Sequence, residues 1–277
     1  MKKEMRIGRI LIYIILGIGA VLCFFPFYWM LRTSVVTSSY IFSTDIQLLP
    51  PVLKLDNFKR ALTSQPFGKY FLNSICVTIT GGFGAVLSSS LCAYGFSRID
   101  WPGRDKIFGL LMTALMLPTA VLIIPHFIGW SYLKLTDTFV PLVLPAYFGG
   151  GLFNIFLLRQ FYMGIPKELD EAAYIDGAST FKIYSSIILP LSKQSLIVVG
   201  LFTYLSNWNM FLEPMIYINS EKKFTLMLGL NQFIGSYAAE WNLMMAATTV
   251  VIVPSILIYL FAQKYFIEGI VMTGLKS

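Results

Sequence analysis

The sequence predicts an all-α integral membrane protein with six transmembrane helices. Three observations carry this. First, 56% of the 277 residues are hydrophobic and only 13% are charged, where soluble domains carry about 25% charge. Second, six stretches contain no Asp, Glu, Lys or Arg: 10–31, 70–97, 107–133, 138–158, 194–212 and 241–263. Each has 19 to 28 residues, against the roughly 20 that a spanning helix needs. Third, the basic residues are unevenly placed. Six spans put both termini on one side, and 13 of the 21 Lys and Arg residues lie there. Such residues mark the cytoplasmic side, so both termini are expected in the cytoplasm. The same bias accounts for the net charge of +7 without a nucleic-acid partner.

The whole chain, 1–277, reads as one transmembrane domain with spans at about 10–31, 70–97, 107–130, 138–160, 194–216 and 241–263. The basic start MKKEMRIGR resembles that of a signal peptide. No small-x-small cleavage site follows, so the first run is expected to stay as an anchor. The outer loop, 32–69, contains LLPPV, whose prolines favour an extended, ordered excursion over a helix. Span two ends at GFSRIDWPGRDKIF, where Pro102-Gly103 supplies a turn. Span three contains LPTAVLIIP, and Pro118 and Pro125 each remove a backbone donor and kink it. Span four opens with Pro141, Pro145 and Gly149-Gly150-Gly151, so its outer half is expected to be irregular. Pro214 and Pro254 mark the outer part of span five and the middle of span six. A shorter run, 224–239, holds Asn231, Gln232, Gly235 and Ser236 and reads as a re-entrant or surface helix.

Several chemistries find no support. Cys23, Cys76 and Cys92 all lie inside spans without metal or redox spacing and read as small core residues. His126 is the one histidine, so no metal site and no catalytic constellation is expected. GGFGAVLSSS is Gly-rich but lacks the lysine of a phosphate-binding loop and lies inside a span. Small residues there suit close helix packing.

The most unusual stretch is cytoplasmic by the charge rule: the loop 162–190, containing KELDEAAYIDGASTFKIYSSIILPL. Pro166 suits the first helical position. Glu168, Asp170 and Glu171 fall in the first turns, where the helix dipole favours acids. Gly177 allows a left-handed backbone and ends the helix near Asp176, and Ser179 or Thr180 caps a second one. Leu169, Ala172, Ala173 and Asp176 share one narrow face. Such a face lies flush in a groove of another protein, or the loop folds back on its own bundle. Helix physics alone leaves both readings open.

The segment resembles the EAA loop of ABC-transporter permease subunits: Glu171-Ala172-Ala173, then Asp176-Gly177-Ala178, then Ile187-Ile188-Leu189-Pro190. The longer string IPKELDEAAYIDGAS looks like the carbohydrate-uptake, maltose-permease-like branch. LDNFKRAL, YFLNS, LCAYGFSRIDWPGRDKIF, LMLPTAVLIIP, LLRQFYMGIP, WNMFLEP and QKYFIEGIVMTGLKS sit in the order of that family. One departure is Gln194, where the family often has proline. The resemblance implies the type I ABC importer fold. It also implies a heterodimer with a second, homologous permease, a cytoplasmic ABC ATPase dimer that carries the ATP and Mg, and an extracytoplasmic solute-binding protein that lands near the long outer loop. Cofactors within this chain are expected to be none. By carry-over, Glu168, Glu171, Ala172, Ala173, Asp176, Gly177 and Ala178 form the coupling element. The chain is then a transport subunit and not an enzyme, and its solute a sugar or oligosaccharide.

For the solute path, LSNWNMFLEP is the most polar stretch inside a span. Asn207 and Asn209 match sugar hydroxyls, Trp208 offers a flat apolar face, and Asn154 and Asn73 are weaker candidates. Against this, Asn also bonds helices together. Glu213 stands where the family usually has an apolar or aromatic residue, and it faces water, the binding protein or the solute. Two other readings are a permease of the same family for a non-sugar solute, such as a polyol phosphate, and an ion-coupled secondary transporter. The latter usually buries acids or histidines along an ion route and often has repeated halves; this chain offers only Glu213 and His126, and no repeat.

Overall fold

A computed structural model of the chain describes residues 2–43, 47–50, 52–235 and 240–274. All regular elements of more than one residue among them are helical. In chain order the helices are α1 (Lys2–Ser34), α2 (Asp56–Ser64), α3 (Phe67–Ser97), α4 (Arg104–Thr113), α5 (Thr119–Tyr132), α6 (Leu152–Met163), α7 (Glu168–Ile175), α8 (Thr180–Ile183), α9 (Lys193–Trp208), α10 (Leu212–Tyr217), α11 (Leu226–Asn231) and α12 (Trp241–Gly274), with single-turn pieces between some of them.

Among the described residues, four helical stretches are long and apolar enough to cross a membrane: Gly8–Ser34, Phe67–Ser97, Val140–Met163 and Trp241–Lys264. Two bent pairs raise the number to six if each pair is one span: Arg104–Met116 with Thr119–Tyr132, and Thr180–Leu191 with Lys193–Trp208. The first pair turns by 98° at Leu117 and Pro118, both of which are extended. Pro125 lies inside α5, which runs on past it to Tyr132. The fifth span is not one run over 194–216. α9 stops at Trp208 and α10 starts at Leu212, because a proline at 214 has no N–H to give and its ring would clash with the carbonyl of residue 210 in a continuous helix. The outer half of span four is irregular, with a short turn at Val140–Val143, a 3-10 turn at Leu144–Tyr147 and left-handed Gly149, Gly150 and Gly151. The run 224–239 yields only α11 as helix; 236–239 lie outside the described residues.

The chain packs as two units, one of residues 1–67 and 229–253, the other of 68–228 and 254–277. In the first, the 32–69 stretch is more helical than its prolines suggest. α2 follows them, with Asp56 in its first turn and Asn57 and Ala61, one turn apart, buried. Asn57 is the organiser. Its amide donates to the carbonyls of Ser34 and Val36, both at 2.9 Å, and its Oδ1 accepts from Asn242 at 3.4 Å. Asn242 in turn accepts from the Ser38 hydroxyl at 3.0 Å. On α1, by contrast, large apolar side chains from Ile10 to Phe25 are exposed, as suits a helix whose solvent is lipid.

The second unit is built on α3, which has a core cluster towards each end. One joins Val77 to Leu142, Tyr217, Ile218 and Leu228. The other joins Ala93 and Tyr94 to Phe108, Ile155, Leu158, Tyr162, Ile183, Tyr184, Ile188 and Val199. At a rise of 1.5 Å per residue the two lie about 25 Å apart along α3. Small residues let the chain close between them. A side chain at Gly84 would overlap the Tyr147 ring at 2.5 Å, and a Cβ on Gly150 would stand 2.1 Å from the Ala85 carbonyl oxygen. Small-residue packing is what GGFGAVLSSS does here.

At the Val77 end, polar side chains pin the stretch from Tyr217 to Leu226. Tyr70 donates to Glu221 at 3.1 Å, Asn73 to the carbonyls of Lys222 and Phe224 at 3.1 and 2.9 Å, and the Ser74 hydroxyl accepts from the Leu226 N–H at 2.8 Å. Asp137 accepts from the Ser220 hydroxyl at 2.6 Å, from the Lys223 ammonium at 2.9 Å and from the backbone N–H groups of Asn219 and Ser220. These donors, the Ser220 hydroxyl first, hold its carboxyl well below the usual carboxylate range.

Candidate functional site

The 162–190 segment forms two short helices with a glycine between them. α7 starts at Glu168, two residues beyond Pro166, with Lys167 as its cap; Pro166 therefore precedes the helix and does not open it. The acids Glu168, Asp170 and Glu171 occupy the first turn, favoured by the dipole there. The other end is a Schellman arrangement. Gly177 has φ +79°, its N–H reaches the Tyr174 carbonyl at 3.0 Å, and the Ala178 N–H reaches Ala173 at 2.9 Å. These bonds satisfy carbonyls that a helix end otherwise leaves open. Ser179 then caps α8 by accepting from the Lys182 N–H at 3.3 Å. α8 passes into a π-helical stretch, Tyr184–Ile188, a form found often at functional sites.

The face expected to hold Leu169, Ala172, Ala173 and Asp176 together is divided in the structure. Ala173 and Ala178 pack against the core cluster of Tyr94, Ile183 and Tyr184. Leu169, Ala172, Ile175 and Asp176 are exposed, as are Tyr174 and, on α8, Phe181. Ile175 is 86% and Phe181 69% exposed, so a segment packed from behind leaves large apolar side chains free in front.

What holds the segment from behind is a stripe that runs off the end of α3: Ser90 and Tyr94 on the helix and Arg98 one residue past it, spaced four apart. The Ser90 hydroxyl bonds those of Tyr162 and Tyr184, both at 2.8 Å. The Tyr94 hydroxyl donates to the Thr180 carbonyl at 3.1 Å. Arg98 donates through Nε to Oδ2 of Asp170 at 2.8 Å and through its two Nη atoms to the carbonyls of Tyr162, Ile165 and Pro166 at 3.2, 2.7 and 2.9 Å. Its side chain is 1% exposed. Sequence reasoning counted Arg98 only as a topology marker and Asp170 only as a dipole acid. The signal that finds them is the polar stripe at a spacing of four, Ser90, Tyr94 and Arg98. Arg159, also counted as a marker, donates to the Phe96 carbonyl and to Asp105, both at 3.1 Å, and lies 4.1 Å over the Phe108 ring.

The residues named for a solute path are scattered over different roles. Asn73 spends its amide on the Lys222 and Phe224 carbonyls. Asn154 donates to the Gly150 carbonyl at 2.7 Å and to the Thr203 hydroxyl at 3.2 Å. Trp208 is 3% exposed, stacked on Tyr204 and edge-on to Phe71. Asn207 packs beside Gly81, where an added Cβ would come within 3.0 Å of its Nδ2. Asn209 is exposed and lies where α9 ends, its amide donating back to Leu205 at 2.8 Å. Glu213 is half-buried in the first turn of α10. Asn209 and Glu213 thus flank the break in the fifth span, and such irregular backbone is tolerated at membrane depth where it faces protein or a cavity.

Comparison with known proteins gives a consistent picture. The family model described as "Binding-protein-dependent transport system inner membrane component" matches residues 85–271. The chain is 32% identical over 261 residues to the arabinooligosaccharides transport system permease protein AraQ of Halalkalibacterium halodurans, covering 93% of each chain. It is 33% identical over 266 residues to the sn-glycerol-3-phosphate transport system permease protein UgpE of Salmonella typhimurium, again covering 93% of each. In fold it matches, with a TM-score of 0.82 at 24% identity, a chain of a bacterial ABC transporter involved in the import of the acidic polysaccharide alginate, over 94% of this chain and 97% of that one. This chain, all-helical and multi-pass, belongs to the family of binding-protein-dependent transport system inner membrane components, the permease subunits of ABC transporters.

Proposed function

We propose that the chain forms half of the pathway of an ATP-driven importer for a sugar or oligosaccharide, paired with a second, homologous permease. ATP and Mg are handled by a separate cytoplasmic ATPase dimer, and the solute arrives on an extracytoplasmic binding protein. The observation that carries the reading is the two-sided build of the 162–190 segment. It is bonded to α3 from behind and presents Leu169, Ala172, Ile175, Asp176 and Phe181 in front. An apolar, charge-rimmed helix held in this way suits a groove on another protein. Glu168, Glu171, Ala172 and Gly177 are the residues that meet the ATPase; Ala173 and Ala178 set the height of the helix above the bundle. When ATP closes the ATPase dimer, the docked helices follow, and the pathway alternates between inward-facing and outward-facing. Both termini and this segment then lie in the cytoplasm, at the cell membrane.

Sugar specificity draws support from the names of relatives that transport arabinooligosaccharides. The relative named for sn-glycerol-3-phosphate supports a second reading, a polyol phosphate as solute. For the solute contact we choose Asn209, exposed where α9 ends at the break in span five. The test is uptake of labelled oligosaccharides and of glycerol phosphate by cells with the intact system. Oligosaccharide uptake is expected to survive collapse of the ion gradients and to stop when the partner ATPase loses its Walker lysine. Uptake that follows the ion gradient contradicts the reading. In the same assay Asn209→Ala is expected to lower uptake about tenfold, equivalent to about 1.4 kcal/mol, while binding-protein-stimulated ATP turnover persists; unchanged uptake removes Asn209 from the pathway.

A further inference from the structure

We propose that Arg98 is a positioning residue that makes the coupling helix α7 a jointed extension of α3, so that movement at the ATPase reaches α3 through this grip. The proposal rests on the reading of α7 as the docking element. Four observations support it. The Arg98 guanidinium is buried at the end of a spanning helix, a place where long basic side chains ordinarily extend to water. All four of its hydrogen bonds go to one stretch of chain, 162–170, which delivers α7. At 100° per residue, Ala172 lies about 160° around α7 from Asp170, so the helix is gripped on the side opposite its open face. Finally, α3 carries its other end to the 221–226 stretch through Tyr70, Asn73 and Ser74.

The two halves of the grip differ. Three carbonyls fix the approach to α7 through the Nη atoms, as rigid backbone contacts. Beside the apolar packing of Ala173, Arg98 holds α7 itself by a single bond, Nε to Oδ2, while Oδ1 of Asp170 is buried without a donor among the described residues. An end-on contact of this kind permits rotation that a bidentate fork would resist. Arg98 therefore anchors the loop and lets α7 tilt about Asp170.

The test uses the whole complex, permease pair with ATPase and binding protein, in proteoliposomes, and reads solute transported per ATP hydrolysed. Arg98→Ala and the milder Asp170→Asn are expected to keep the ATPase bound and turning over while the ratio falls at least tenfold. Arg98→Lys, which keeps the charge but loses the fork, is expected to fall between. Should Arg98→Ala not accumulate, Asp170→Asn alone carries the measurement. An unchanged ratio overturns the proposal. So does a loss of transport and ATP turnover in equal proportion, which marks a merely structural tie. Ala172→Glu separates the underlying reading: if that variant leaves the ATPase bound and stimulated, it is the docking role that has failed, whatever Asp170→Asn does.

Discussion

Ala172→Glu is expected to abolish solute-stimulated ATP turnover, by at least 100-fold or about 2.7 kcal/mol, with the chain still inserted in the membrane at its normal level. Residue 172 is exposed, so the change touches none of the chain's own core. The new carboxylate stands four residues from Glu168 and four from Asp176, a like-charge spacing that costs about 0.2–0.5 kcal/mol per pair. That alone is small. On the proposed docking, the large term comes from forcing an unpaired carboxylate into the partner's groove, where it loses its water. ATP turnover of the reconstituted complex, with and without loaded binding protein, checks this. Turnover at the wild-type level would remove Ala172 from the interface.

Gly150→Ala is expected to be the most damaging single methyl group in the fold. Gly150 has φ +65°, and its Cβ would lie 2.1 Å from the Ala85 carbonyl oxygen and 2.8 Å from the Ser88 hydroxyl. Neither left-handed strain nor contact with rigid backbone can be relieved without moving span four off α3. A loss of about 3 kcal/mol or more follows. Gly103 is the comparison: its φ is +85° but nothing lies within 4 Å of a Cβ there, so Gly103→Ala pays only the strain, about 1–2 kcal/mol. Thermal unfolding of both variants in detergent separates close approach from strain. Equal losses would contradict the close approach.

The membrane architecture was legible because lipid imposes a length on every span and forbids charge within it, which one sequence displays openly. The end of α7 and the start of α8 were legible for a different reason. Gly177 and Ser179 act on backbone groups within a few residues of themselves, so the chemistry is local. α2 was obscured by the prolines before it, although DNFKRALTS places an acid first and small or amide residues one turn apart. The break at 209–211 was missed by a span drawn over 194–216, although Pro214 and its effect on the carbonyl four residues back were there to read. The Arg98–Asp170 pair was not, since its partners are 72 residues apart and each has a sufficient local explanation. Asn73 and Asn154 carry a similar lesson. An amide inside a span suits a hydroxyl-bearing solute and a neighbouring carbonyl equally well, and only the position of the neighbouring chain tells them apart.

The proposed contact between α7 and an ATPase is tested most directly by a cross-link. With Cys23, Cys76 and Cys92 replaced by serine and Ala172 by cysteine, a short bifunctional thiol reagent is applied to the assembled transporter in membranes. An adduct of this chain with the ATPase subunit is expected, formed at 172 and absent when the cysteine is moved to position 173, which packs against the core. A cysteine at 172 that captures no ATPase in a transporter still turning over ATP would contradict the proposed contact.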